Sequence, residues 1–164
     1  MKYMKDKYVW GVLRLLMGWT FFWAFIDKVF GLGFNTAADK SWLSGVSPAA
    51  GFLKFATKGP FAEIYQGLAG SPVVDWLFML GLLFIGLSLL LGIGVKIAGY
   101  SGIVLMALMY TAASIWPEHN PFLDEHVVNA AILLGLVYAE AGRYLGLGEW
   151  WARTKLVQKY KFLS

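Results

Sequence analysis

The sequence predicts an all-α integral membrane protein, a four-helix bundle with a long, partly helical outer loop between its first and second helices. Three observations carry that reading. Hydrophobic residues make up 59% of the chain and charged ones only 15%, against roughly 45–50% and 25% in soluble domains. Four apolar runs are each about 20 residues or longer, the length that crosses a bilayer. The connection between the first two runs is about 40 residues, which is uncommon unless the segment has structure or function of its own. A chain of 164 residues suits one membrane domain, 1–164, with no second domain.

Met1–Lys7 is a short basic leader, and Tyr8–Phe30 is the first apolar run. That run is too long for the core of a cleavable signal and ends in Asp27-Lys28, so it reads as a retained first span. In the Gly31–Pro72 loop, Ser47-Pro48 predicts a cap and first turn opening a short helix to Lys58. Gly59-Pro60 interrupts it, and Phe61–Leu68 predicts another turn or two. Trp42, Phe52, Phe55, Phe61 and Tyr65 make the loop amphipathic, suited to lying on the bilayer or capping the bundle. Val73–Val95 is the second span, with Lys96 marking a tight turn into the third, Ile97–Trp116. Small residues such as Gly81, Gly86, Ser88 and Gly92 predict close helix packing. Pro121–Leu145 is the fourth span, capped by Asn120, and Gly146–Ser164 is a basic, aromatic tail.

The positive-inside rule orients these spans. The leader, the turn at Lys96 and the tail hold most of the lysines and arginines, so both termini are expected to be cytoplasmic. The long loop and the Trp116–Asn129 stretch then face outward together. Depth at about 1.5 Å per residue sets Arg14 and Glu140 at similar distances from the inner boundary. An unpaired charge there is costly, which predicts an Arg14–Glu140 ion pair with Arg143 nearer water; the alternative is Glu140 pairing with Arg143 at i, i+3.

At the outer rim Asp27, Lys28, Asp75, His119, Asn120, Asp124, His126 and Asn129 converge at helix ends. Some of these are helix caps or answer the macrodipole. As a group, carboxylates, two histidines, an amide and a lysine suit binding of a small anion or proton exchange with a quinone. With no cysteine, disulfides, thiolate metal sites and CxxC redox pairs are excluded. The histidine spacing fits no zinc motif, and both histidines lie at the rim, unsuited to holding a haem between them. No metal is predicted.

Several stretches together resemble the DoxX/DoxD family of small four-helix membrane proteins. They are Arg14 with Trp-Ala-Phe-Ile-Asp-Lys ending at Lys28, Trp42-Leu-Ser-Gly-Val-Ser-Pro, Val74-Asp75-Trp76, Asn120-Pro-Phe-Leu-Asp-Glu-His126 and Ala141-Gly-Arg143. The likeness is to the DoxD branch, because the glutamate expected a turn before Gly86 is replaced by Leu82. It implies a plasma-membrane subunit of a thiosulfate:quinone oxidoreductase, with a DoxA-like second subunit, quinone as electron acceptor and thiosulfate as substrate. His126, Asp124 and Asp75 would then be catalytic. Lys28, Asp27, His119, Asn120, Asn129 and Arg14 would bind substrate or quinone. The competing reading is a non-catalytic accessory subunit of a terminal quinol oxidase or other respiratory complex. A transporter is disfavoured by the short chain without broken helices. The bilayer is the expected surrounding, and nucleic acid is not an expected partner.

Overall fold

The computed structural model describes residues 2–113, 115, 117 and 120–163, with side chains from Lys7 onward. Helices α1 (Lys2–Phe30), α4 (Pro72–Leu91), α5 (Val95–Ala113) and α6 (Glu125–Tyr138) form the bundle. Short helices α2 (Ala50–Phe55) and α3 (Ala62–Gly67) lie in the long loop, and α7 (Gly148–Ala152) and α8 (Lys155–Lys159) in the tail. No strand occurs among the described residues. Three helices, spanning Lys7–Phe30, Pro72–Leu91 and Val95–Ala113, are long and apolar enough to cross a membrane. The chain is a multi-pass membrane protein on that ground.

The fourth expected span differs. At about 1.5 Å per residue, α6 covers roughly 21 Å, short of the roughly 30 Å hydrocarbon core. Both of its ends fall inside the Pro121–Leu145 range. At the start, Asn120-Pro121 opens no helix; Phe122 has a positive φ of 69°, and Asp124 is the N-cap instead. At the other end Glu140 (φ 49°) and Leu145 (φ 54°) take left-handed backbone around a 3-10 turn at Ala141–Arg143. The turn between the second and third spans is also displaced. Gly92 and Gly94, at φ 77° and 62°, end α4 at Leu91, so Lys96 belongs to the first turn of α5.

Helix α1 runs antiparallel to α4. A Cβ on Gly18 would meet the Leu90 backbone at 2.8 Å, and one on Gly86 would meet the Phe22 backbone at 2.6 Å. Buried residues of α1, among them Gly11, Arg14, Met17, Gly18 and Phe21, and of α4, Asp75, Met79, Leu82, Ile85, Gly86 and Leu89, fall at helical spacing on faces turned to each other. Helix α5 pairs antiparallel with α6 through Gly99 and Gly102, against Val137 and Leu133. Small residues let the backbones close in where lipid offers no hydrophobic drive. Met79, Leu89, Leu133 and Leu136 are fully buried at the centre, while Val12, Leu16, Leu77, Phe84, Val104 and Leu134 remain exposed and suit a lipid-facing surface.

Candidate functional site

The start of α1 and the segment after α6 share one end of the bundle, where Lys7 lies over the Tyr144 ring. This end is organised by Arg14, whose side chain is fully buried. Its Nη1 donates to the Leu89 carbonyl and, at 3.0 Å, to Leu90; Nη2 donates to Tyr144 at 3.0 Å and Leu145 at 2.9 Å. The Leu89 and Leu90 carbonyls belong to the last turn of α4, where acceptors lack helical partners and the dipole is negative. The Tyr144 and Leu145 carbonyls are available because the chain has left the helix there. The expected Arg14–Glu140 pair is therefore not formed. Glu140 accepts from Arg143 Nε at 3.1 Å in an exposed i, i+3 pair, because the left-handed turn at Glu140 interrupts the helix on which the pairing was drawn. Arg14 is a staple between α1, α4 and the segment after α6.

At the opposite, loop-bearing end, the polar residues do not form one cluster. Each carboxylate ties down a different piece of backbone. Asp27, buried at the end of α1, accepts from Asn35 N–H at 2.9 Å and Phe34 N–H at 3.3 Å. Asp75, buried in the first turn of α4, accepts from Ser47 Oγ at 2.7 Å and Ala49 N–H at 3.3 Å. Ser47 in turn accepts from Ala50 N–H at 3.1 Å and is anchored across 28 positions to Asp75, but the N-cap of α2 is Ala49 and the helix ends at Phe55, short of the expected Lys58. Asp124 Oδ1 takes the His126 and Val127 N–H groups at 3.0 and 3.2 Å, while Oδ2 lies 2.6 Å from His126 Nδ1. Asn129 is half-buried one turn along α6 from His126, and Asn120 is exposed. His119 lies outside the described residues.

These clamps fold the long loop over the bundle. The Lys58 N–H donates to the Ala112 carbonyl at 2.9 Å, and the Tyr65 hydroxyl lies 2.6 Å from Thr111 Oγ1. Trp42 packs edge-on against Trp76 at 4.7 Å between centroids. Beneath this roof is a cavity of about 380 Å³, walled by α2, α3, α4 and α5 with side chains including Phe52, Leu53, Tyr65, Leu77, Phe78 and Leu108. Lys28 lies on its wall, with Nζ 5.8 Å from the Phe78 ring centroid. No carboxylate among the described residues is within ion-pair distance of Lys28. Its neighbour in sequence, Asp27, faces the Phe34–Asn35 turn instead. Leu77 and Leu108, also on the wall, are 69% and 51% exposed, so the cavity borders the lipid-facing surface.

Among the described residues expected to bind substrate or quinone, Lys28 lines this cavity. The rest of that wall was missed. The amphipathic aromatics of the loop were its only signal, since Phe52 and Tyr65 reach the cavity whereas Phe55 is exposed. Among the described residues no group of three or more metal-ligating side chains occurs. Comparison with family models, curated proteins and solved structures returned no match.

Proposed function

We propose that this chain is a quinone-binding subunit of a plasma-membrane oxidoreductase, with both termini cytoplasmic. The observation that carries the proposal is the apolar cavity under the loop, with the Lys28 ammonium unpaired on its wall. Apolar pockets of about 300–1,000 Å³ with a few polar groups are typical of small-molecule sites. A quinone ring offers two carbonyl acceptors and an isoprenoid tail. Lys28 Nζ donates to one carbonyl, the aromatic wall covers the ring, and the tail leaves past Leu77 and Leu108 into lipid.

The resemblance to DoxD extends this proposal to thiosulfate oxidation with a DoxA-like partner. Joining two thiosulfates into tetrathionate releases two electrons, and the quinone takes up two electrons and two protons. The Asp124–His126 pair is the proton-handling group in this scheme, because the carboxylate fixes the imidazole at Nδ1 and leaves Nε2 to exchange protons. Asp27 and Asp75 hold the loop and are positioning residues.

The decisive measurement is equilibrium binding of a short-chain quinone to the protein in bilayer discs, together with thiosulfate-dependent quinone reduction in membranes that contain the partner. Saturable binding lost in Lys28→Ala supports the site; binding unchanged in that variant removes it. The accessory-subunit reading is favoured by one observation, the engagement of Asp27, Asp75 and Asp124 in holding backbone. It predicts quinone binding without thiosulfate-dependent reduction, and co-purification with a quinol oxidase.

A further inference from the structure

A second cavity lies at the opposite end of the bundle, where the last turn of α6, the start of α5 and α7 meet. Its volume is about 80 Å³, room for several waters or a single tetrahedral oxyanion. Two cations from different elements line it, Lys96 from α5 and Arg143 from the 3-10 turn, together with Glu140 and Trp151. The glycines around it set its shape. A Cβ on Gly142 would lie 2.8 Å from the Gly92 carbonyl oxygen, and one on Gly148 would lie 2.1 Å from that of Gly142, so these three backbones are locked together.

Glu140 is the unusual member. It holds a left-handed backbone (φ 49°) that non-glycine residues seldom adopt, and its ion pair with Arg143 is exposed, so the pair itself contributes little to stability. Left-handed residues of this kind gather at ligand sites. Here the turn sets the Arg143 guanidinium at the cavity, held through Nε, and leaves its Nη groups to other acceptors. On α5, Lys96, Tyr100 and Val104 follow one another at i, i+4 and i+8, and all are exposed. They form a stripe that leads from the cavity along the lipid-facing side of the helix, with Tyr138 exposed nearby at the end of α6. Such tyrosines mark the headgroup level of a bilayer.

We infer that this cavity binds the phosphate of an anionic phospholipid, its oxygens on Lys96 and Arg143 and an acyl chain along Tyr100 and Val104. Basic pockets between helices at the headgroup level recognise phosphate in this way. Glu140 competes with the phosphate for Arg143 and so weakens the site. This inference is independent of the quinone cavity at the other end.

The test is native mass spectrometry of the full chain released from discs containing equal phosphatidylglycerol and phosphatidylcholine. Wild-type protein is expected to retain phosphatidylglycerol with a preference of roughly tenfold. Lys96→Gln with Arg143→Gln abolishes the preference, Lys96→Arg with Arg143→Lys keeps it, and Lys155→Gln with Lys159→Gln leaves it unchanged. Glu140→Gln strengthens retention severalfold, and Glu149→Gln, which removes the same charge from exposed α7, strengthens it much less. Equal retention by wild type and the Lys96/Arg143 glutamine variant overturns the inference, as does an equal loss in the Lys155/Lys159 variant. Melting curves with inorganic phosphate in place of lipid form the second arm. A rise in Tm that needs Lys96 and Arg143, without phosphatidylglycerol retention, overturns the lipid assignment in favour of a free-phosphate site.

Discussion

The two ends of this bundle each place a cation below the surface, and they treat it in opposite ways. At one end Arg14 is fully buried and its guanidinium donates to four backbone carbonyls from two separate segments. At the other, Lys28 lies on the wall of an apolar cavity with an aromatic ring as its neighbour and no carboxylate among the described residues in ion-pair range. A cation whose two Nη groups are shared among four carbonyls holds chain segments together, even with its buried Nε left unbonded. An unsaturated one in a cavity is free to meet a ligand. The contrast gives Arg14 a structural role and makes Lys28 the cation on which the proposed quinone site rests, and it is open to direct attack.

The largest effect is expected at Arg14. Hydrogen bonds to charged groups contribute about 1.5–3 kcal/mol each, and acceptors left buried add to the loss. Arg14→Ala is expected to cost at least about 4 kcal/mol, the range reserved for severe core lesions, and to leave little folded protein in detergent. Arg14→Lys does not rescue it, because one ammonium cannot span two pairs of carbonyls as a planar fork does. If Arg14→Lys protein melts at the wild-type temperature, the staple is not what holds this end.

Next is the roof of the cavity. Asp75→Ala removes the acceptor of Ser47 Oγ and Ala49 N–H and is expected to destabilise by about 2 kcal/mol. Because the loop is fastened independently at Lys58 and Tyr65, the bundle itself persists. Limited proteolysis should therefore cut the variant ahead of α2, near Ser47 and Ala49, while leaving α4 and α5 intact. Cleavage within α4 or α5 at the same rate would show that loop and bundle unfold as one unit.

Arg14 and Asp75 also show how far the sequence could be read. Three of the spans are legible because lipid demands an apolar run of fixed length, a requirement carried by the residues themselves. Arg14 stood out because a charge in such a run needs a partner. The partners were not legible, since every residue has a carbonyl and only the left-handed turn at Glu140 and Leu145 frees those of Tyr144 and Leu145. Asp75 drew notice for its place at a helix start, yet its contact with Ser47 depends on how the long loop folds back. The same holds at α6, where Asn120-Pro121 matches a helix start by composition but Asp124 makes the cap. Asp124 satisfies two N–H groups and also reaches the His126 ring, which an asparagine four residues earlier cannot do.

At Lys28 the expected outcome reverses that at Arg14. Lys28→Ala removes no side-chain hydrogen bond or close ion pair, only a cation–ring contact and the longer-range attraction of Asp27, so its stability is expected to stay within about 1 kcal/mol of wild type. Quinone binding should fall by about tenfold, the equivalent of one charge-assisted hydrogen bond to the ligand. Lys28→Arg keeps the charge and part of the affinity. A variant that loses stability while retaining affinity would place Lys28 with Arg14 as a structural cation and dissolve the contrast between the two ends.

The smallest effect is expected at Glu140 and Arg143, an exposed pair just before the Tyr144 and Leu145 carbonyls that Arg14 holds. Glu140 and Arg143 are 60% and 50% exposed, and pairs of this kind contribute about 0.2–1 kcal/mol. Glu140→Ala gives up that attraction and keeps the left-handed backbone, so a fall in stability of no more than about 1 kcal/mol is expected. Were the pair a working part of the Arg14 staple, Glu140→Ala and Arg14→Ala would be non-additive, since partners in one network couple by about 0.5–3 kcal/mol. Arg14→Gln, a milder lesion than alanine, makes that cycle measurable by thermal melts in detergent. Additivity is expected, because no bond joins the two side chains and Arg14 reaches this region only through the Tyr144 and Leu145 carbonyls.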